Sequence, residues 1–215
     1  MPRRSSAKAM VLGGRAGAAM LAVAIGACVT APSDEEIANK ATAMLKSSFK
    51  ASGQAGLDRL DQDATQRVCS EFGGKPPPKD VAEKIEKLNL AMIRYPADGK
   101  LLGDWKSGER IAQEGRGKQF SDDPSGPVGA NCYACHQLSP EELAYGTIGP
   151  SLYQFGKLRG YGAETQRYAY GKIYNPDAYS ACSNMPRFGH NGILTEQQIK
   201  DVAALLMDPE SPVNR

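Results

Sequence analysis

The chain has 215 residues, enough for one ordinary domain with an extension or for two small domains. Its 26 Lys and Arg residues nearly balance its 24 Asp and Glu residues. This balance argues against the strongly basic surface that nucleic-acid binding requires, so we expect no nucleic acid among its partners.

The first 28 residues have the pattern of an export signal. Basic residues at positions 3, 4, 8 and 15 precede the apolar run AGAAMLAVAI, and the first acidic residue is Asp34. The run is too short to span a bilayer as a helix, so the sequence predicts a signal peptide over residues 1–28. Loss of residues 1–27 removes four of the 26 basic residues and none of the 24 acidic ones, which leaves a net charge of −2.

The end of this leader, Ile25-Gly26-Ala27-Cys28, resembles a bacterial lipobox. In a lipobox the cysteine receives a diacylglyceryl group and becomes the new N-terminus, and two acyl chains hold a protein firmly on a membrane surface. Ordinary signal cleavage nearby is an equal alternative. Both alternatives predict a periplasmic protein, with a lipid anchor on Cys28 in the first case.

Helical periodicity predicts an N-terminal helical extension over residues 29–99. Ser33 and Glu36 form a capping box before apolar residues that continue at helical spacing to Phe49. The pattern resumes from Leu57 to Val68 and ends at the segment GGKPPPK, because proline removes backbone donors and fixes the backbone.

A second capping box, Asp80 with Glu83, is expected to open a further helix that stops at Tyr95-Pro96. Beyond residue 100, the helix KSGERIAQEG contains glycines that allow another helix to approach closely. A last helix is capped by Thr195 and Gln198 and ends at Asp208-Pro209. No segment alternates as a strand would, so the predicted fold class is all-α, with a second domain over residues 100–215.

The run NCYACHQ (131–137) allows three interpretations. A redox disulfide of the thioredoxin type expects a βαβ setting, which the sequence does not predict. A zinc site needs four nitrogen or sulfur ligands, available as Cys132, Cys135, Cys182 and His190, but it leaves His136 unused. Covalent haem uses the whole motif: Cys132 and Cys135 form thioethers, and His136 ligates the iron. Export agrees with haem attachment outside the cytoplasm, so we expect one covalent haem c.

Downstream, Gly149-Pro150-Ser151-Leu152 resembles the G-P-x-L stretch that follows the haem motif in class I c-type cytochromes. In those proteins the proline carbonyl accepts a hydrogen bond from the free ring nitrogen of the ligating histidine. The resemblance implies that Pro150 orients His136, and that residues 100–215 form a class I cytochrome c-like haem domain.

The sixth iron ligand has three candidates in the sequence. Met207 lies at the end of the last helix and is most simply a packing residue. Met185 lies in SNMPRFG, where Pro186 stiffens the loop, and it is favoured over His190. His/Met ligation raises the reduction potential relative to ligation by two histidines.

Cys69 and Cys182 are left over from the haem motif. In an oxidising compartment they are expected to form a disulfide between the N-terminal helices and the haem domain. Closing a loop of this length would contribute about 4–5 kcal/mol through loop entropy. Two alternatives stay open: both thiols are buried and free, or Cys182 approaches the iron.

Two long segments resemble SoxX, the small mono-haem subunit of the SoxAX cytochrome complex in bacterial sulfur oxidation. They are GANCYACHQLSPEELAYGTIGPSLYQFGKLRGY and KIYNPDAYSACSNMPRFGHNGILTEQQIKDVAALLMDPESPVN. The resemblance covers about residues 100–214 and extends more loosely to LDRLDQDATQRVCSEF. It implies a heterodimer with a SoxA-type cytochrome, action on the SoxYZ carrier through that complex, and a soluble cytochrome c as electron acceptor.

The SoxX resemblance also implies an enzyme, the L-cysteine S-thiosulfotransferase formed by the SoxAX complex. In that family the sulfur chemistry is assigned to a haem of the SoxA partner, so this chain would be an electron relay with no catalytic residue of its own. The alternative is a free-standing periplasmic electron-carrier cytochrome c without a sulfur-specific partner.

Overall fold

A computed structural model of the chain describes residues 31–215, so the expected signal peptide and Cys28 lie outside the described residues. The described residues divide between two compact units, with the boundary between Ala41 and Thr42. The described residues contain the α-helices α1 Asp34–Ser48, α2 Ala64–Glu71, α3 Lys79–Ala91, α4 Trp105–Gln113, α5 Phe155–Arg159, α6 Ala163–Tyr174 and α7 Glu196–Met207. Short 3₁₀ helices cover Leu57–Leu60, Cys132–Ala134 and Pro176–Ala178.

The predicted all-α class is confirmed for residues 31–215. This part of the chain contains no β-strand, and its one isolated β-bridge joins Ser52 and Ala55. None of the helices in residues 31–215 has the length and apolar character needed to cross a bilayer.

Helix α1 begins where the sequence predicts. The Ser33 hydroxyl accepts the Glu36 backbone N–H at 3.2 Å, and the Glu36 carboxylate accepts the Ser33 N–H at 2.9 Å. This reciprocal capping satisfies donors that the helix itself leaves unpaired. Every residue of α1 is exposed, so local hydrogen bonds rather than burial account for the helix.

The next two helices differ from expectation in detail. The pattern from Leu57 to Val68 is divided by Asp63, which caps α2 through a box with Gln66. The predicted Asp80–Glu83 box is wrong, because Pro78, two residues before Asp80, is the N-terminal cap of α3. Asp80 then lies in the first turn, where its carboxylate pairs with Lys84 at 3.4 Å. Helix α3 also ends at Ala91, before the expected stop at Tyr95-Pro96.

The core of residues 42–215 forms where α4 crosses α7. The two helices are in close contact at Gly108, since a Cβ built on it would lie 2.1 Å from the Asp201 backbone oxygen. The sequence-based expectation that a glycine in this helix allows close approach is therefore confirmed. Helices α5 and α6 also pack on α7, whose residues Leu205 and Met207 are almost completely buried.

The predicted cap and end of α7 are both confirmed. Thr195 and Gln198 form a capping box, and the helix ends at Met207 with Asp208 as its C-terminal cap. This defined start fixes which residues of α7 face α4.

A buried amide network connects α2, α3 and the end of α6. The Asn89 side chain is inaccessible to solvent and donates to the Thr65 hydroxyl at 3.0 Å and to the Ile85 carbonyl at 2.9 Å. The Asn175 amide in turn donates to Asn89 Oδ1 at 2.9 Å. Because an unpaired buried amide is costly, these bonds fix α3 against the segment that follows α6.

Replacing Gly108 with Val should lower the free energy of unfolding by about 1–3 kcal/mol, because the added atoms force α4 away from α7. Urea unfolding of the intact protein measures this change. Gly162→Ala is the matched control, because a Cβ at Gly162 has no atom within 4 Å. Equal stability of Gly108→Val and the wild type would contradict the close approach of the two helices.

Candidate functional site

The cysteine motif lies in a single tight turn. Cys132–Ala134 form a 3₁₀ helix, and the backbone N–H groups of Cys135 and His136 both donate to the Cys132 carbonyl, at 3.1 and 2.9 Å. The sulfurs of Cys132 and Cys135 form no disulfide. The turn therefore groups two thiols and the imidazole of His136 within five consecutive residues.

The end of α4 holds the entry to this turn. The Ala130 N–H donates to the Ile111 carbonyl at 2.9 Å, and the Asn131 N–H donates to the Glu114 carbonyl at 3.0 Å. Asn131 then takes the left-handed conformation with φ of 45°, which asparagine tolerates better than most residues. The α4–α7 core thus determines where the motif begins.

A second segment, residues 146–152, runs beside the motif and orients His136. The N–H of Gly149 donates to the Cys135 carbonyl and that of Leu152 to the Gln137 carbonyl, both at 2.8 Å. Between these bonds, the Pro150 carbonyl lies 2.7 Å from His136 Nδ1. Nδ1 must carry the proton to donate to a carbonyl, so the lone pair is on Nε2, the nitrogen available to a metal.

Gly149 makes room for this imidazole. A Cβ at position 149 would lie 2.1 Å from His136 Cε1 and 2.4 Å from Nδ1, far inside van der Waals contact. Glycine is therefore required at position 149, because any side chain would collide with the ring. This steric requirement explains the first residue of the Gly149-Pro150 pattern.

The Cys132 sulfur lies against the hydrophobic core. Burial is the main cause that raises the pKa of its thiol to about 12, and the neighbouring Cys135 contributes in the same direction. Cys132 is therefore a neutral thiol at neutral pH.

Two of the four candidate zinc ligands are engaged elsewhere. Cys182 is joined to Cys69 by a disulfide with an S–S distance of 2.08 Å. His190 Nε2 lies 3.7 Å from the Asp63 carboxylate. Across residues 31–215, no group of three or more His, Cys, Asp or Glu side chains could hold a metal ion. These contacts argue against both the zinc interpretation and the free-thiol alternative for Cys69 and Cys182.

Met185 lies between the disulfide and a buried arginine. Its side chain is half-buried against the core, and its N–H donates to the Ser183 hydroxyl at 3.2 Å. With Cys69 and Cys182 it lines a cavity of about 660 Å³. Met207, in contrast, is 1% exposed within the core, as expected of a packing residue.

His190 has an environment that suits a structural role. Burial lowers the pKa of its imidazole, and the positive charge of Arg187 lowers it further, while Asp63 acts in the opposite direction. Its backbone N–H donates to the Tyr174 carbonyl at 3.1 Å. Both its ring and its backbone are thus held by other parts of the protein.

The sequence-based reasoning missed Asp63. Its Oδ1 caps α2 by accepting the Gln66 N–H at 2.9 Å, while its Oδ2 lies 2.6 Å from Arg187 Nη2. Burial raises the pKa of Asp63, but the bonds from Gln66 and Arg187 outweigh this effect and hold the pKa below its usual value. The pattern Asp63-x-x-Gln66 is a capping-box signal, so its cap was predictable, whereas its pairing with Arg187 was not.

The residues present fit a covalently attached haem. Two unbridged cysteines share one turn, His136 has its Nδ1 occupied so that Nε2 can ligate iron, and Gly149 leaves space beside the ring. A thioether-forming pair next to an oriented imidazole is the donor set that a c-type haem requires.

Comparison with known proteins agrees with this chemistry. The profile of the cytochrome c family matches residues 115–208. An uncharacterized lipoprotein from Aquifex aeolicus (strain VF5) is 42% identical over 158 residues, which cover 72% of this chain and 73% of the relative.

Replacing Gly149 with Ala should reduce the amount of haem covalently bound per chain, because the new methyl group displaces the His136 ring from Pro150. The ratio of haem absorbance to protein in denatured, purified samples measures this loss. Gly162→Ala, whose added methyl group meets open space, should load haem like the wild type. Normal loading and an unchanged spectrum in Gly149→Ala would contradict the assigned position of the ring.

Proposed function

This chain carries a cytochrome c domain and belongs to one family with the Aquifex aeolicus lipoprotein, and on that premise we propose that it is the electron-transfer subunit of a SoxAX-type complex. The hydrogen-bond contact between His136 Nδ1 and the Pro150 carbonyl is the single observation that supports haem ligation most strongly. The more specific Sox assignment is supported by the long resemblance of residues 100–214 to SoxX.

In this proposal Cys132 and Cys135 would hold one haem c through thioether bonds, and His136 and Met185 would ligate its iron. The haem supplies a one-electron couple between ferric and ferrous iron. Methionine is a neutral sulfur ligand that favours the ferrous state relative to a second histidine, which raises the potential and suits a chain that accepts electrons.

The complex would join thiosulfate to a cysteine of the SoxYZ carrier. A thiol and thiosulfate form a cysteine S-thiosulfonate with a new sulfur–sulfur bond, and they release one proton and two electrons. One haem accepts one electron, so this chain would relay the electrons in turn to a soluble cytochrome c. Because His136 and Met185 would both be used as iron ligands, this chain would only transfer electrons, and the bond-forming step would belong to the SoxA-type partner.

We also propose that the protein is exported and held on the membrane by lipid at Cys28. The lipobox-like sequence at residues 25–28 supports this, as does the name of the Aquifex aeolicus relative, which is described as a lipoprotein. Two acyl chains are sufficient for stable anchoring without a spanning helix.

Replacing Met185 with Ala should abolish the long-wavelength charge-transfer band that methionine-to-iron ligation gives in the ferric protein. The reduction potential should fall, because the thioether that stabilises ferrous iron is removed. Absorption spectroscopy and a redox titration measure both effects. Met207→Leu, a volume-conserving change in the core, is the control and should keep the band. An unchanged band in Met185→Ala would exclude Met185 and point to another methionine, whereas a wild-type protein without the band would direct attention to His190.

Purification from the native source tests the Sox assignment. The membrane fraction should give this chain together with a second cytochrome, and mass spectrometry of the intact assembly should report one haem on this chain and lipid on Cys28. The assembly should reduce a soluble cytochrome c only when both thiosulfate and a carrier with a free cysteine are present. A monomeric product without a second cytochrome would favour the free-standing electron carrier.

A further inference from the structure

Helix α2 is attached to both sides of residues 182–187, the segment that carries Met185. Before Met185, Cys182 is bonded to Cys69 of α2. After Met185, Arg187 Nη2 lies 2.6 Å from the carboxylate of Asp63, the residue that caps α2. Helix α2 lies outside residues 115–208, which the cytochrome c profile matches. It therefore contacts the chain from outside that region, three residues before and two residues after the proposed iron ligand Met185.

The contact at Arg187 is an ionic cluster in which Arg187 and Asp177 are buried and Asp63 is partly exposed. The Arg187 side chain is 7% exposed, and besides Asp63 it faces Asp177, whose Oδ2 lies 3.8 Å from Arg187 Nε. Removing one partner of a buried ion pair leaves an uncompensated charge away from water, which is strongly unfavourable. Arg187 can therefore leave this position only together with a substantial opening of the contact with α2.

The two contacts with α2, the Cys69–Cys182 disulfide and the Asp63–Arg187 ion pair, act as anchors. The backbone between these anchors is also constrained. Cys182 has a φ of 59°, a left-handed conformation that a non-glycine residue adopts only when its surroundings impose it. The next residue, Ser183, donates its N–H to Asp177 Oδ1 at 2.9 Å, and its hydroxyl accepts the Met185 N–H. On the other side of Cys182, the Ala181 N–H donates to Glu86 of α3 at 3.1 Å.

Such constraint matters for a thioether ligand. A neutral thioether binds iron weakly, so other ligands displace it whenever its loop moves away. The apparent affinity of a competing ligand is its intrinsic affinity multiplied by the fraction of molecules in which the sixth position is open. Anchors on both sides of Met185 decrease that open fraction without touching the iron.

We propose that Cys69, Cys182, Asp63 and Arg187 are positioning residues that keep Met185 on the haem iron, and that this is the function of α2. The inference rests on the proposed His136/Met185 ligation. Helix α2, which lies outside the matched cytochrome c region, would then help to determine which side chain ligates the iron.

Two variants remove the anchors separately. Cys69→Ser combined with Cys182→Ser removes the covalent anchor. Asp63→Asn removes the charge that faces Arg187 but keeps an amide oxygen that can accept the Gln66 N–H, so α2 stays capped. The matched control for the second variant is Asp80→Asn, which removes the exposed Asp80–Lys84 ion pair on α3. Leu205→Ala, which opens a cavity in the α4–α7 core, controls for general loss of stability.

The measurement is binding of imidazole to the ferric holoprotein, followed through the methionine-to-iron band. Each anchor variant should keep its covalent haem but bind imidazole about tenfold more tightly or faster than the wild type, because the open fraction rises. The potential of each should also fall. Asp80→Asn and Leu205→Ala should bind imidazole like the wild type.

The outcomes distinguish failure of the proposed Met185 ligation from failure of the positioning role. A wild-type protein without the band, or a band that survives Met185→Ala, would refute Met185 ligation itself. With the band present, the positioning role fails if both anchor variants lose only stability while their imidazole affinity and potential stay at wild-type values. It also fails if Leu205→Ala increases imidazole binding as much as they do.

Discussion

The imidazole of His136 is useful to an iron only if something fixes the plane of its ring and keeps its proton on the nitrogen away from the metal. The Pro150 carbonyl, 2.7 Å from Nδ1, does both. Gly149 makes this contact sterically possible, and two backbone hydrogen bonds between residues 146–152 and the cysteine turn keep it in register. The motif is therefore a pre-oriented site rather than a pair of cysteines that happen to precede a histidine.

Different parts of the chain hold the two proposed axial ligands. The turn that carries His136 is attached to the end of α4, which is fixed in turn by its close contact with α7 at Gly108. The segment that carries Met185 is attached to α2 and α3, through the disulfide to Cys69 and the bond from Ala181 to Glu86. Because residues 42–215 form one compact unit, helices that precede the matched cytochrome c region are structurally continuous with it. Helices α2 and α3 thus contribute to the position of the segment that carries Met185.

Local patterns in the sequence were reliable where local chemistry decides the structure. The caps of α1 and α7, the end of α7, and the close approach at Gly108 follow from hydrogen-bonding side chains and from the absence of a Cβ. The Asp80–Glu83 box failed because Pro78 caps α3 two residues earlier and leaves Asp80 inside the first turn. The Arg187–Asp63 pair was beyond prediction, since its partners are more than a hundred residues apart and only the packing of α2 brings them together.

Covalent attachment of one haem through Cys132 and Cys135 is the claim on which the electron-transfer function depends, and intact-mass spectrometry of the native chain tests it most directly. Attachment predicts that the native mass exceeds that of the processed polypeptide, with any lipid on Cys28 included, by one haem. This difference should survive extraction with acidified organic solvent and disappear when Cys132 and Cys135 are replaced by serine. A native chain at the bare polypeptide mass, or a pigment that acidified solvent removes, would contradict it.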